Sequence, residues 1–63
     1  MQFKIRLMQG PSILKTMDAV VYDNDFGKAS EMAVRCLFGL PEADRVIATR
    51  DGADEPFMAA SKF

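Results

Sequence analysis

The feature that most constrains this chain is a change of hydrophobic period before its midpoint. Phe3, Ile5 and Leu7 alternate with Gln2, Lys4 and Arg6. A period of two puts one set on each face of a strand, so the segment reads as half-buried β-structure. From Phe26 to Phe38 the period becomes helical. Phe26, Ala29, Ala33, Cys36 and Leu37 fall on one face, and Lys28, Glu31 and Arg35 on the other. An apolar strand face and an apolar helix stripe have to be buried against each other.

The segments between them supply the connections. Gln9-Gly10-Pro11-Ser12 is a turn signal. Leu14 to Tyr22 reads as a second strand around Val20-Val21-Tyr22, and its imperfect alternation points to a bulge. Asp23-Asn24-Asp25 offers three helix caps whose acidity suits the positive end of the helix dipole. Glu31 and Arg35 stand in the favourable i,i+4 order for an ion pair. Gly39-Leu40-Pro41 reads as the helix stop, with Gly39 at C′. Arg45 to Arg50 is a short third strand around Val46-Ile47, and Asp51-Gly52 signals a tight turn. Pro56 to Phe63 admits two readings. Phe57, Ala59 and Ser61 alternate as an edge strand, or Asp54 caps a short helix through Phe57-Met58-Ala59-Ala60. The turn at Asp51-Gly52 asks for a returning partner and favours the strand.

The expected fold is a small α+β domain of ββαβ(β) order, residues 1–63 forming a single domain. Strands 1 and 2 form a hairpin, and a right-handed crossover brings strand 3 beside strand 1, giving sheet order 2-1-3-4. One helix packs on one face. The other face, carrying Lys4 and Arg6, is left open. A domain of this size buries only about 60% of the surface its unfolded chain exposes. That leaves little to hold a strained catalytic cleft, so enzyme activity ranks last.

Composition narrows the chemistry further. There is no His and one Cys, Cys36. Ser-His-Asp and Cys-His triads are therefore impossible within one chain, as are Cys/His zinc sites. No metal or cofactor is expected. Asp23-Asn24-Asp25 opens like a calcium loop, but the positions needing a glycine and a bidentate glutamate are Lys28 and Val34. Cys36, on the apolar helix stripe, reads as a small buried hydrophobe. The start, Met1 to Arg6, carries charge where a signal peptide needs an apolar run, and no stretch matches a membrane span. A reducing, cytoplasmic setting is expected.

Charge is the most informative feature. The net charge is only −1, yet it is unevenly spread. Residues 1–15 carry Lys4, Arg6 and Lys15 and no acid, whereas residues 18–25 carry Asp18, Asp23 and Asp25 and no base. Residues 42–55 carry five acids against Arg45 and Arg50. In the expected topology strands 2 and 3 end at the same pole. Asp23, Asp25, Asp51, Asp54 and Glu55 then gather there as a partner-binding surface. Phe38 lies about 120° around the helix from Phe26 and is a candidate interface anchor beside Val34.

A short chain with a β-hairpin, one helix with alanines at four-residue spacing (Ala29, Ala33) and a returning strand resembles small phage or mobile-element inhibitors. Two groups share this architecture: anti-CRISPR proteins and the small phage inhibitor of bacterial RNA polymerase. The likeness covers most of residues 2–50, is architectural, and carries over no functional residue. It implies a non-enzymatic protein that binds and blocks a nucleic-acid-handling complex, with an acidic surface against a basic protein partner. The acidic balance and the lack of a Lys/Arg cluster add the expectation of no direct nucleic-acid contact. If phage-encoded, it would act in the host cytoplasm. Two other readings remain. One is a nucleic-acid-binding module presenting Lys4, Arg6 and Tyr22 from the open sheet face. The other is a homodimeric accessory subunit pairing through an edge strand.

Overall fold

The computed structural model describes residues 1–63. Its elements are β1 (Gln2–Gln9), β2 (Ser12–Val20), α1 (Phe26–Gly39), β3 (Arg45–Arg50) and β4 (Met58–Ser61). The sheet runs β2-β1-β3-β4 with every neighbouring pair antiparallel. This is the expected α+β domain, with the last segment as a strand. The central strand β1 carries the cleanest alternation: Phe3, Ile5 and Leu7 are at most 2% exposed, while Lys4 and Arg6 on the other face are half-buried.

The β1–β2 hairpin turns through Gly10-Pro11, with Gln9 opposite Ser12. Gly10 takes φ +55, whereas the ring of Pro11 forbids a positive φ. A positive φ at the first central residue alone is the type II′ pattern, which matches strand twist. The register then slips. Leu7 opposes Lys15 and Met8 opposes Ile13, so Leu14 is the extra residue of a bulge. The second strand therefore starts two residues before the expected Leu14 and ends at Val20, short of Tyr22.

Asp25 is the residue that caps α1, its carboxylate accepting the Lys28 N–H at 2.9 Å. Asp23 is spent on the approach, at φ +55, a left-handed conformation that aspartate tolerates. The stop works differently from the expectation. Gly39 is not left-handed but stays in the helix, and Leu40 turns extended at φ −121, ψ 101. The cause is Pro41, whose ring disfavours a helical conformation in the residue before it.

The core lies between α1 and the middle of the sheet. Ala29, Ala33 and Leu37 meet Phe3, Ile5, Leu7, Val46 and Ala48. The helix sits chiefly over β3 and β1. Cys36 is half-buried rather than fully buried, packed at the edge of this core beside Leu7, Met17 and Leu40. Phe57 closes the other end. It precedes β4, donates its N–H to the Ala48 carbonyl at 2.9 Å, and packs edge-to-face on Phe3 and Phe26 with centroids 5.7 and 5.2 Å away. Each such pair contributes about 0.5–1.5 kcal/mol beyond its buried area.

Two substitutions test this packing by urea denaturation. Ala33→Leu forces three carbons into a fully buried contact and should cost about 1–3 kcal/mol. Cys36→Ser should cost less than about 1 kcal/mol, because a half-exposed hydroxyl keeps its water. Equal losses for the two would contradict the placement of Ala33 and Cys36.

Candidate functional site

The acidic end is built by two turns tied to the first residues of the chain. On one side Val21 N–H donates to the Met1 carbonyl at 3.0 Å, and the Met1 ammonium donates to the Val21 and Asp23 carbonyls at 2.7 and 2.9 Å. On the other, Asp51 N–H donates to the Gln2 carbonyl at 3.0 Å. Asp23 and Asp51 are thus each bonded through their backbones to adjacent residues, Met1 and Gln2.

The turn at Asp51-Gly52 is real but is not the two-residue hairpin turn its sequence signals. Ala53 N–H donates to the Arg50 carbonyl at 3.0 Å, and of the two central residues only Gly52 has a positive φ, +85. That is the type II pattern, which does not return the strand directly. The chain runs on through Asp54, Glu55 and Pro56 until Phe57 enters the core and β4 begins. Asp54 and Glu55 therefore project from a loop pinned at Gln2 and at Phe57, next to the first turn of α1.

Asp23, Asp25, Asp51, Asp54 and Glu55 are all exposed, and none forms an ion pair. The Asp25 carboxylate is engaged with the Lys28 N–H. The two ion pairs lie elsewhere: Glu31–Arg35 on the helix, 3.0 Å apart, and Lys4–Asp18 across β1 and β2. No three acidic or thiol groups come close enough together to hold a metal ion.

Phe38 does not join this surface. It is 66% exposed, but it lies near the C-terminus of α1, about 18 Å along the helix axis from Phe26. Its neighbour is the Lys62 ammonium, 5.9 Å from the ring centroid, and Lys62 also donates to the Leu40 carbonyl at 3.0 Å. The separation follows from chain direction: α1 starts at the acidic end and finishes at the opposite one.

The open sheet face carries Lys4, Arg6, Met8, Thr16, Asp18, Ile47 and Thr49, with no aromatic ring among them. Tyr22, the one ring expected there, lies beyond β2 and is 95% exposed. Met8 is 9% exposed on this face and takes a long contact from Arg45 at 3.5 Å to its sulfur. Residue 57 is what sequence reasoning missed. The alternation Phe57, Ala59, Ser61 predicts one strand face, whereas Met58 and Ala60 are the residues of β4 that face the helix side with Ala48 and Val46. The proximity of Phe57 to Phe26 had no local signal.

The fold and these surfaces define a small α+β domain with one helix over an antiparallel four-stranded sheet. Comparison with family models, curated proteins and solved structures gives no significant match in any of the three. No helix is long and apolar enough to cross a membrane.

Lys4 reports on the electrostatics between the face and the acidic end. Its pKa is raised above the ordinary lysine value, first by the hydrogen bond to Asp18 and then by the Asp18 charge, with a smaller push from Asp51. A raised lysine pKa means that the pairing contribution is present at neutral pH and is lost as pH climbs through that raised value. NMR titration of the Lys4 side chain should give a midpoint above the ordinary lysine value. Asp18→Asn should lower it, and Asp51→Asn should lower it less. An unchanged midpoint in Asp18→Asn would contradict the pairing.

Proposed function

We propose that this protein is a non-enzymatic binding protein that blocks a nucleic-acid-handling complex, its acidic end seated on a basic surface of that complex. The observation that carries this reading is the group of unpaired, exposed carboxylates on Asp23, Asp51, Asp54 and Glu55 beside the start of α1. Carboxylates left free of internal ion pairs are open to an external partner. Their tethering through Met1, Gln2 and Phe57 limits the ordering cost of binding. Complementary charge of this kind acts mainly on encounter rate and orientation. Inhibition, and a phage or mobile-element origin, follow from the architectural resemblance alone.

The reading of the open face as a nucleic-acid platform is weaker. Single-strand platforms rely on aromatic rings for base stacking, and this face presents none. No DNA or RNA binding is expected at physiological salt, as measured by fluorescence anisotropy. Micromolar, salt-sensitive binding would shift the assignment to the sheet face.

The acidic end is tested most cleanly at Asp54 and Glu55, because Asp51 also acts on Lys4 and Asp25 caps the helix. The partner is first identified by capture from lysate of the source cells. Asp54→Lys with Glu55→Lys should then slow association with it. The loss should shrink toward 1 M salt, where the screening length is about 3 Å. Stability should change by no more than ~0.5 kcal/mol. A folded variant with an unchanged, salt-independent on-rate would remove this end from the interface.

A further inference from the structure

We infer that β2 is a self-pairing edge: two copies of this chain join antiparallel through their β2 strands into one eight-stranded sheet. The inference is independent of the acidic-end reading and rests on hydrogen-bond parity, exposure and charge.

Parity comes from two bonds. Val21 N–H donates to the Met1 carbonyl, so odd-numbered residues of β1 bond toward β2. Asp51 N–H donates to the Gln2 carbonyl, so even-numbered residues of β1 bond toward β3. In an antiparallel ladder this alternation propagates along the strand. Ala19, Met17 and Lys15, opposite Phe3, Ile5 and Leu7, therefore spend their backbone groups on β1. Val20, Asp18 and Thr16 point theirs outward, away from the sheet. The bulge at Leu14 ends this regular edge.

The same strand concentrates exposed apolar side chains. Ile13 is 56% exposed, Leu14 39% and Val20 61%. The helix sits chiefly over β3 and β1, so Met17 on the helix side of β2 is only partly covered. A long exposed edge of this kind is a template for another strand.

The occupant is a second copy because the edge is complementary to itself in one register. Paired residues must share parity, so the two-fold axis passes through a residue; an axis at Ala19 would pair only Asp18 to Val20 of the strand and one at Lys15 would fall against the bulge, which leaves residues 16, 17 and 18. An axis at Asp18 sets two aspartates directly opposite each other, which repels. With the axis at Thr16, the next outward pair falls in the bulge. When it passes through Met17, Thr16 is set against Asp18 of the second copy and Lys15 against Ala19 of the second copy. That register leaves no like charges directly opposed and makes two reciprocal hydrogen-bonded pairs. It also joins the two Met17 side chains, which adapt to fill an irregular contact. Val20 then lies alongside the Ile13–Leu14 bulge of the other copy. The two helices share one face, and the acidic ends lie at opposite ends of the sheet.

Sedimentation of the intact chain should show mass rising from 7.0 kDa toward twice that value with concentration. Thr16→Pro removes an outward N–H without touching the β1 ladder and should weaken the dimer at least tenfold. Register is read by cysteine cross-linking in a Cys36→Ala background, which keeps the native thiol out of the reaction. Met17 would be a non-hydrogen-bonded pair on the axis, with Cα atoms about 4.5 Å apart, within disulfide reach. Met17→Cys should oxidise to a covalent dimer. The two Ala19 residues would be offset by about 13 Å along the strands, so Ala19→Cys should stay monomeric. A single 7.0 kDa species up to about 1 mM, or a dimer that Ala19→Cys traps as well as Met17→Cys does, would overturn the proposal. So would a β2 that pairs with a different protein while the chain alone stays monomeric.

Discussion

The close approach of one alanine-lined helix to the central strands is the contact on which the rest of this molecule depends. Ala29 and Ala33 are fully buried and place almost no side-chain bulk between the helix backbone and the sheet. Phe3, Ile5, Leu7 and Val46 fill the remaining space from the other side. A helix of 14 residues is enough to cover β1 and β3, which hold most of the buried positions. The cost appears at the margin. β2 keeps most of its side chains in water, and the end of the core beside Phe26 needs Phe57 to seal it.

That arrangement explains which parts of the fold were legible in the residues. The alternation of β1 and the helical stripe of α1 are set by burial, so their periods survive in the sequence. β3 was read with its observed bounds for the same reason, its apolar pair Val46-Ile47 standing between polar neighbours. β2 was misplaced by two residues because its exposed side chains carry little periodic signal, and only the bulge showed through. The local signals that failed were each overruled by a neighbour. Pro41 set the helix stop at Leu40, leaving Gly39 no left-handed role. At Asp51-Gly52 the turn took the type II form, because Phe57 had to travel to the core before β4 could pair.

The candidate site was legible in composition and only partly in geometry. Five acids were picked out by charge alone, and the parallel direction of β2 and β3 explains why their turns reach the same end. The bonds that tether them, through Met1, Gln2 and Phe57, join residues far apart in the chain and leave no local trace. Phe38, a second candidate read from its place on the helix beside Val34, stands apart from them. A helix spanning the length of the domain carries it to the opposite end, where Lys62 covers part of its ring. The two exposed features therefore serve different surfaces.

β1 is paired on both sides while β2 is paired on one side only. Residue-resolved amide exchange by NMR, at dilutions where the chain is monomeric, tests it directly. The amides of Lys15, Met17 and Ala19, bonded to β1, should be protected. Those of Thr16, Asp18 and Val20 should exchange close to the rate of an open chain, and Phe3 to Leu7 should be the slowest of all. Uniform protection along β2, or β1 amides that exchange as fast as those of β2, would contradict the account.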